Sequence, residues 1–595
     1  MNKYEWNLNY LLKSDKEFEE KLEVLKSEVS ELATFKGKLA NEEDFKKYLN
    51  LQLKFVDDIG PVYMYAHLGS DLDKKNMENA AKQQKCMMLF NNYSIATSFE
   101  QPELLSIGEE KIYKFLESDK NLAQFKFYIE DLFRKQSHVL DLKSEELLST
   151  MSPALRKGGE LYSALSVADL KAPKVKIGGK EVTVTQGNWS SLITDAKDAK
   201  DRKKIFEALY KHFEENKTTY ATIYEGILQT NKANAKVKGF KNILESYLFR
   251  NNIPTSVYTT LVDVASKKNA SLKKYIKLRR KYLGLKSYHT YDRFQELATS
   301  NKKYTFDEAK ELFFASIAKC PKDFQDKARE VLKEGYVDVY EKEGKRSGAY
   351  SSSMANCHPF ILLNYTDTLD DVFTVAHESG HSIHSLYSME AQPTMLQDYT
   401  IFVAEIASTF NEHMLLDYLM DKDDLDIDDK IKLLQKAIDS ITSTFYRQTL
   451  FAHYELLANK LVEEDKVVNY EVLSSIMVDL YKKYYGLDIK KERVKEYVWC
   501  YIPHLFYTPF YVYQYATSFS ASFALYKNVK EGKKGAFENY IKLLKAGGSK
   551  YPIDEAKDAG IDFTSKDTFL AVVERMDDLV SKLEALLEER ENKKR

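Results

Sequence analysis

Most of the chain places its apolar residues at helical spacing. In segments 15–35 and 42–59, large apolar side chains recur at positions i, i+3, i+4 and i+7, and charged residues fill many of the positions between them. This period puts the apolar side chains on one face of an α-helix. The pattern predicts a mainly α protein whose charged helix faces contact solvent.

Two stretches break this helical pattern, the first because it alternates apolar and polar residues. Segment 174–189, KVKIGGKEVTVTQGNW, does so on both sides of a Gly-Gly pair, which predicts a β-hairpin. Segment 345–368 contains RSGAYSSS and HPFILLNY, which predict two short strands joined by a turn near residues 354–357. A helix is predicted directly afterwards, at about residues 369–388. We expect the small sheet to lie beside this helix, and we expect HPFILLNY to offer an edge to which an extended peptide can add.

Composition excludes several classes of protein. Of 595 residues, 44% are hydrophobic and 30% are charged, which is too apolar for a disordered chain. Glycine (22 residues) and proline (11 residues) are too scarce for the many turns of an all-β protein. The formal net charge is −2, from 88 basic and 90 acidic residues. This balance predicts neither a nucleic acid nor an anionic membrane as partner.

The cysteines and the apolar runs indicate the cellular compartment in which the protein is expected. Cys86, Cys320, Cys357 and Cys500 lie far apart in the chain and form no Cys-x-x-Cys pair, so no disulfide framework is expected. The first residues lack the apolar run and the small-residue cleavage site of a signal peptide. No stretch approaches 18 apolar residues without charge, so no membrane span is expected. We therefore expect a cytoplasmic protein.

The strongest chemical signal is the segment TVAHESGHSIHSLYS, which contains the motif H-E-x-x-H. Thr368 and Asp371 match a capping box at the start of its predicted helix. His377 and His381 are four residues apart, so both imidazoles face one side of that helix and can share one Zn²⁺. Glu378 is rotated by about 100° and can act as general base. Composition alone gives such a motif by chance with a probability of roughly 2%, and a zinc site needs a third ligand.

The third ligand has two candidate sources. In the pattern H-E-x-x-H-x-x-G-x-x-H it is a histidine, but this chain has His384 where that pattern needs glycine and Tyr387 where it needs histidine. The other source is a carboxylate on a following helix. Glu405 lies in TIFVAEIASTF, where an unpaired carboxylate would be costly to bury. We predict Glu405 as the ligand, a structural role or a contact with the ligands for His384, and for Glu412 either a contact with the ligands or no role.

These motifs resemble the oligoendopeptidase F branch of the thimet oligopeptidase family. The last histidine of HESGH is followed 24 residues later by the glutamate of EIAS. The likeness extends to GKRSGAYSSS, HPFILLNY, DYTIFVAEIAST, YIPHLFYTPFYVYQYATSFSAS, AGGSKYPIDEAKDAGID and the WNLNYLL start, so it covers nearly the whole chain. The family's motif residues fall on His377, Glu378 and His381, and its distant glutamate falls on Glu405.

The resemblance implies a zinc peptidase, with one Zn²⁺ per chain, that hydrolyses internal bonds of short oligopeptides in the cytoplasm. It implies an elongated, almost entirely α-helical body with a deep substrate channel that excludes large proteins. It also implies a histidine and tyrosines that contact the reaction intermediate, and the histidine falls on His504. The chain offers Tyr507, Tyr511, Tyr513 and Tyr515 as the tyrosines, and of these we favour Tyr511 and Tyr515. In other Glu-ligand zinc peptidases an aspartate after E-x-x-S orients a histidine. Here that residue is Thr409, so another group must take this role.

The first hairpin marks a plausible boundary between domains. We expect an N-terminal helical region at residues 1–110, a helical region that ends in the β-hairpin at 111–200, and a zinc metallopeptidase catalytic region at 201–595. Short peptides are the expected partners, and the oligomeric state is left open.

Two other functions stay open from the sequence. A zinc carboxypeptidase or dipeptidase can also use H-E-x-x-H, and it would need a cation such as Lys345 or Arg346 to bind a free C-terminal carboxylate. A helical peptide-binding protein with an inactive site is the second alternative. The intact Glu378 argues against it, because a structural zinc site usually has four protein ligands and needs no such glutamate.

Overall fold

The computed structural model describes residues 2–299, 302–422 and 424–594. Contacts within the chain divide it into two units. The first unit comprises Met1–Ser137, Lys302–Leu419 and Asn528–Gly560, and the second comprises His138–Asn301, Met420–Lys527 and Ile561–Arg595. The three consecutive domains expected from the sequence stay a prediction.

The first unit is built mainly from amphipathic α-helices with capped N-termini. Ser14 accepts a hydrogen bond from the amide of Glu17, and Asn41 accepts one from the amide of Glu43, which satisfies amides that the first turn of a helix leaves unpaired. The α-helices that begin in this unit are Asp15–Ala33, Glu42–Leu72, Met77–Ala96, Glu100–Ile107, Glu109–Glu117, Lys126–Lys135, Phe306–Ser316, Lys322–Val331, Leu369–Ala391, Ile401–Met420, Ala536–Leu544 and Pro552–Asp558.

The helix predicted within residues 42–59 extends to Leu72. Pro61 lies inside this helix, where a proline removes one helical hydrogen bond and costs about 3 kcal/mol. The turns that follow bury Met64 and Leu68 completely, and burial of one such side chain contributes about 1.5–3 kcal/mol. Burial beyond the proline therefore offsets its cost, and the helix continues.

A three-stranded sheet packs on helix Leu369–Ala391, which we call the motif helix because it carries H-E-x-x-H. Its strands are Val337–Asp338, Tyr350–Met354 and Cys357–Leu362. The central strand, Cys357–Leu362, pairs antiparallel with Tyr350–Met354 and parallel with Val337–Asp338. The predicted mainly α fold class and the predicted small sheet beside the motif helix are confirmed.

The expectation that HPFILLNY offers a free sheet edge is wrong. Its strand, Cys357–Leu362, has a neighbour on both sides, because the two-residue strand Val337–Asp338 also pairs with it. The two edges are Val337–Asp338 and Tyr350–Met354. We call the longer of them, Tyr350–Met354 from RSGAYSSS, the edge strand. Backbone groups that can pair with an added peptide therefore lie on the edge strand.

The WNLNYLL segment packs on this sheet through Trp6. The indole N–H of Trp6 donates to the carbonyl oxygen of Ile361 at 2.9 Å and to that of Tyr336 at 3.2 Å. The indole ring also contacts the ring of Phe360 edge-on, with centroids 6.1 Å apart. Trp6 is buried, so it ties the start of the chain to the central strand.

The second unit is also mainly helical. Strands Lys174–Ile177 and Lys180–Thr183 form the predicted hairpin, and Gly178 and Gly179 adopt positive φ in its turn. The α-helices that begin in this unit are Leu142–Leu155, Lys157–Ser163, Trp189–Asp195, Ala199–Glu215, Lys217–Val237, Ile243–Leu248, Thr255–Lys267, Ala270–Tyr282, Ile427–Ile441, Arg447–Glu463, Tyr470–Tyr485, Val498–Tyr501, His504–Tyr507, Tyr513–Lys530 and Lys566–Lys594.

The helices and the cysteines can be compared with the expectations of no membrane span and no disulfide framework. Among the described residues, no helix is both long enough and apolar enough to cross a membrane. Cys86, Cys320, Cys357 and Cys500 are free thiols, and all but Cys320 are buried.

Replacing Trp6 by phenylalanine tests the anchor of the N-terminal segment. The ring is kept and the N–H is lost, which removes two hydrogen bonds in a buried region at a cost of about 1–3 kcal/mol, although the Tyr336 carbonyl still accepts from the Ile361 amide. We expect the apparent melting temperature of Trp6→Phe to fall by a few degrees. Tyr10→Phe is the control, because the Tyr10 side chain is exposed. An equal fall in both variants would contradict the assignment.

Candidate metal centre

The motif helix begins at a closed capping box. The Asp371 amide donates to Thr368 Oγ1 at 3.3 Å, and the Asp371 carboxylate accepts a hydrogen bond from the Thr368 amide at 3.0 Å. The helix then runs to Ala391, so His377 and His381 lie in its interior. The predicted cap and helix are confirmed, and the histidines lie on a stretch of backbone with full helical hydrogen bonding.

The motif helix meets helix Ile401–Met420, which we call the glutamate helix, at Gly380. A methyl group on Gly380 would lie 2.5 Å from Cα of Ser408 and 2.6 Å from the carbonyl oxygen of Ala407. These distances are shorter than van der Waals contact, so only glycine fits at this crossing. The close approach of the two backbones brings Glu405 to the histidines.

The loop between these helices is held by AGGSKYP. The amide of Gly548 donates to the carbonyl oxygen of Leu396 at 2.8 Å. Gly547, at positive φ, lies against the same carbonyl, which a Cβ atom would approach to 2.2 Å. Ser388 Oγ donates to the carbonyl oxygen of Gln397 at 2.5 Å. The loop that sets the position of the glutamate helix is therefore held near its middle, at Leu396 and Gln397.

Three ligand-type atoms converge where the two helices cross. Nε2 of His377 lies 3.2 Å from Nε2 of His381, and Oε2 of Glu405 lies 3.4 and 3.6 Å from these two atoms. A tetrahedral zinc ion with bonds of about 2.0–2.2 Å separates its ligand atoms by roughly 3.3–3.6 Å. The spacing of the three predicted ligands thus fits one tetrahedral metal ion with a fourth position left for another group.

Glu412 contacts the candidate ligands directly. Its Oε1 lies 2.5 Å from Nδ1 of His377, so Nδ1 carries the proton and Nε2 faces His381 and Glu405. Such a carboxylate–histidine pair orients the ring and makes it a stronger ligand. Thr409 cannot take this role, because its hydroxyl donates to the carbonyl oxygen of Glu405 at 2.6 Å. Glu412 is therefore the orienting group that the sequence left undecided.

The electrostatics of the cluster favour a positive charge between the histidines. Burial acts to lower the pKa of His377, but the hydrogen bond and charge of Glu412, with Glu378 and Glu405 nearby, raise it to about 9. Burial and the charge on His377 lower the pKa of His381 to about 4. One proton is thus strongly held and a second is excluded, and a metal cation at the same place would meet the same attractive field.

Glu378 lies beside these atoms and lines the same cavity. Burial raises the pKa of its carboxyl, and the nearby His377 lowers it, which leaves the pKa at about 7. The cavity is bordered on one side by the edge strand. Its lining residues are Ala349, Tyr350, Ser351, Ser352, Ser353, His377, Glu378, His381, Ser385, Tyr399, Ile401, Ala404 and Glu405.

Two hydroxyl pairs fix the edge strand to the motif helix. Ser351 Oγ lies 2.8 Å from Ser382 Oγ, and Ser353 Oγ lies 3.0 Å from Ser385 Oγ. Alternate residues of a strand and residues three apart on a helix each share one face, so the two pairs run in parallel. The sequence predicted a sheet beside the helix, but these partners could not be identified from it.

His384 lies on the motif helix without reaching the ligand cluster. Its ring stacks on that of Tyr399, with centroids 3.6 Å apart, and burial lowers its pKa to about 3. It is fully buried in its neutral form. This packing agrees with the structural role, one of the two that the sequence left open.

His504, Tyr511 and Tyr515 come together in the second unit. The ring of His504 lies 5.9 Å from that of Tyr511 and 6.3 Å from that of Tyr515, and the two tyrosine rings are 5.5 Å apart. Burial lowers the pKa of His504. The three residues chosen from the resemblance therefore form one cluster, while their role stays a prediction.

A buried carboxyl that the sequence gave no reason to single out supports this cluster. Glu455 accepts a hydrogen bond from the amide of Phe510 at 2.7 Å, and burial raises its pKa to about 8. Phe510 has a φ of 55°, a conformation that is strained for a bulky residue. The hydrogen bond stabilises the backbone conformation of Phe510, and this conformation sets the direction of the chain at the next residue, Tyr511.

Comparison with known proteins identifies relatives over nearly the whole chain. The family model for Peptidase family M3 matches residues 192–575, and that for Oligopeptidase F matches residues 103–171. Oligopeptidase PepF of Bacillus subtilis strain 168 is 36% identical over 587 residues, which cover 98% of this chain and 87% of that protein. An Oligoendopeptidase F homolog of Borreliella burgdorferi is 35% identical over 567 residues, 95% of each chain.

Solved structures agree with these relatives. A structure from Chlamydophila abortus has a TM-score of 0.90 and 32% identity, and covers 98% of both chains. Oligoendopeptidase-F from Enterococcus faecium has a TM-score of 0.75 and 28% identity, and covers 97% of this chain and 99% of its own. The resemblance stated from the motifs is confirmed.

The Gly380→Ala variant tests the helix crossing. The added methyl group must push the two backbones apart, and overpacking of this kind costs about 1–3 kcal/mol, so we expect a lower melting temperature. Gly226→Ala is the matched control: it also lies inside a helix, but nothing lies within 4 Å of the position that its Cβ would take. There we expect unchanged or slightly raised stability. A Gly380→Ala protein as stable as the control would refute the close crossing.

Proposed function

Because the chain belongs to peptidase family M3, we propose that it is a zinc-dependent endopeptidase that hydrolyses internal bonds of short oligopeptides. The observation that carries this proposal is the convergence of His377, His381 and Glu405 at tetrahedral spacing, with Glu378 in the same cavity. The names of the relatives, oligopeptidase and oligoendopeptidase, support the substrate class.

We assign one Zn²⁺ per chain to His377, His381 and Glu405, with Glu412 orienting His377. Ser408 Oγ donates to Glu405 Oε2 at 3.1 Å and holds that carboxylate in place. When bound, zinc polarises a carbonyl group and lowers the pKa of a water molecule toward ~7. Two imidazoles and one carboxylate are the ligand set of many catalytic zinc sites, which keep a fourth position open.

Glu378 is proposed to move the proton during hydrolysis. A carboxyl whose pKa lies near 7 can accept a proton from the attacking water and then release it to the leaving amine. Glu378 follows His377 on a rigid helix and points into the same cavity, so its distance from the reacting atoms is fixed by the helix.

The edge strand is proposed to hold the substrate. An extended peptide can pair with its backbone N–H and C=O groups, and such pairing depends little on side-chain identity. The serine pairs fix the position of this strand relative to the motif helix. A peptide paired with the strand would therefore lie at a fixed position relative to Glu378. Tolerance of many peptide sequences follows.

His504, Tyr511 and Tyr515 are proposed to stabilise the charge that develops on the substrate carbonyl oxygen. Imidazole and phenol groups are donors suited to this task. The resemblance and the close grouping of the three rings support the assignment.

An exopeptidase is the second candidate, and its proposed carboxylate-binding cations are already engaged. Lys345 Nζ donates to Asp338 Oδ1 at 2.6 Å and to the carbonyl oxygen of Tyr340 at 2.7 Å. Arg346 pairs with the buried Asp71 at 3.0 Å. We therefore favour the endopeptidase. A cytoplasmic location is also part of the proposal, and the free thiols support it.

The Glu378→Gln variant tests the general base. With an internally quenched peptide blocked at both ends, we expect cleavage by the wild type and a loss of 10²–10⁴-fold in kcat/KM in the variant, with zinc content unchanged. Glu390→Gln is the matched control, because Glu390 lies on the same helix and its side chain is 58% exposed. If wild type cleaves only peptides with a free C-terminus, the exopeptidase takes precedence.

Two further variants test the ligand set. We expect Glu405→Gln to lose zinc in competition with a chelator, since it removes a charged ligand. Glu412→Gln keeps all three ligands but weakens the orientation of His377, so we expect zinc affinity to fall by about 10–100-fold. Zinc is measured after equilibrium dialysis. Full retention of zinc by Glu405→Gln would eliminate Glu405 as a ligand.

A further inference from the structure

The second unit contains a cavity with an unusual charge. Aromatic and aliphatic side chains form most of its wall, and the cationic side chains of Arg293, Arg447 and Lys495 also line it. All of its lining residues belong to the second unit. None of them is among the residues assigned above to the metal, to proton transfer or to the substrate.

The three cations have no carboxylate partner. Within residues 2–299, 302–422 and 424–594, no carboxylate oxygen comes within 4 Å of their nitrogen atoms, and Arg293 and Arg447 donate no hydrogen bond to protein. Arg293 instead lies 4.4 Å from the ring centre of Phe294. Lys495 Nζ donates to the hydroxyl of Tyr210 at 3.1 Å. Lys495 is buried and the two arginines are partly buried, and removing charges from water is costly unless a counter-charge is supplied.

The nearby acidic groups are already engaged. Asp439, which also lines the cavity, accepts a hydrogen bond from Tyr275 at 2.8 Å and lies 3.9 Å from Arg279. Glu492 accepts hydrogen bonds from the amide and the hydroxyl of Thr290 at 2.8 and 2.6 Å. Arg279, Arg293, Arg447 and Lys495 thus face two carboxylates, so the cationic side chains outnumber the acidic ones by two.

Repulsion between the cations lowers the pKa values of two of them. Burial and the charge of Arg447 lower the pKa of Arg293 to about 10. Burial, Arg447 and Arg293 lower the pKa of Lys495 as well, and Glu492 only partly opposes this. An anion between the three groups would remove this repulsion.

Hydroxyl donors complete the lining. Tyr288, Tyr481 and Tyr485 line the cavity, and in the described part of the chain their hydroxyl groups have no hydrogen-bond partner. Arg447 directly follows a π-helical turn, Thr442–Tyr446, and such turns are frequent at functional sites. Guanidinium and phenol groups together are well suited to bind the oxygens of an oxyanion.

We propose that this cavity binds one small, doubly charged oxyanion of the size of phosphate or sulfate, held by Arg293, Arg447 and Lys495. The charge of the ion matches the excess of two positive charges. The size follows from the volume of the cavity, which is about 50 Å³. One water molecule needs at least about 10–15 Å³, so the cavity has room for an ion of a few atoms. That space suits a free ion and excludes a bulky phosphate ester. The inference does not rest on the proposed peptidase mechanism.

The test measures the melting temperature of the full-length protein in inorganic phosphate and in potassium chloride of equal ionic strength. A specific site raises the melting temperature with phosphate concentration beyond the effect of chloride. We expect Arg447→Gln to bind phosphate at least tenfold more weakly, as measured by titration calorimetry. Arg493→Gln is the matched control: it removes the same charge from a side chain that is 70% exposed and outside the cavity, and it should bind like wild type.

The proposal would be overturned by no stabilisation beyond that of chloride, by equal weakening in the Arg493→Gln control, or by phosphate binding that persists undiminished in Arg447→Gln. The last would place the ion elsewhere, for example at the metal centre. If Arg447→Gln does not fold, Tyr485→Phe removes only one hydroxyl and should weaken binding several-fold. Phenyl phosphate tests the size: we expect it not to stabilise the protein, and stabilisation equal to that by phosphate would refute a free ion as the occupant.

Discussion

The crossing of two helices at Gly380 is the contact on which the candidate metal centre depends. H-E-x-x-H supplies two imidazoles, but the third ligand comes from another helix, and its distance is set by how closely the backbones approach. Without a side chain at Gly380, the motif helix lies directly against Ser408 and Ala407. That contact places Glu405 within 3.4–3.6 Å of both imidazole nitrogens. The loop held by Gly547 and Gly548 and the serine pairs to the edge strand keep the surrounding elements in place.

The two units group charged side chains of opposite sign. Around His377 and His381, the carboxylates of Glu378, Glu405 and Glu412 create a field that attracts a cation. In the second unit, Arg293, Arg447 and Lys495 create a field that attracts an anion. Both arrangements bury like charges near one another, which a fold tolerates only where a counter-ion or a function compensates for the cost. The same reasoning therefore identifies a metal centre in one unit and an anion cavity in the other.

Much of this arrangement could be predicted from the sequence, for identifiable reasons. Helical spacing predicts the helices, alternation predicts the first hairpin, and the four-residue separation of His377 and His381 predicts their common face. Glu405 is identifiable because a carboxylate in an apolar segment needs a partner. The role of Glu412 could not be decided, because spacing from Glu405 cannot tell a ligand contact from an exposed polar residue.

Other features depend on contacts that the sequence does not encode locally. Strand Val337–Asp338 has two residues, too few for any period, so the wrong strand was expected at the sheet edge. The helix that starts at Glu42 continues through Pro61 because of burial that only the folded chain defines. Arg293, Arg447 and Lys495 lie on separate segments, and no motif connects them. The grouping of His504, Tyr511 and Tyr515 was expected from a family resemblance rather than from their spacing.

The candidate ligands and Glu412 all come from two consecutive helices, within residues 377–412. A metal bound there would cross-link a short stretch of chain, so its binding energy would oppose the local opening of this helix pair rather than unfolding of distant segments. Loss of the metal would then loosen the helix pair first, and amide hydrogen exchange would rise there before it rises elsewhere. A metal bound there would thus stabilise the helix pair locally as well as supply chemistry, and the supply of metal would govern how long the pair stays closed.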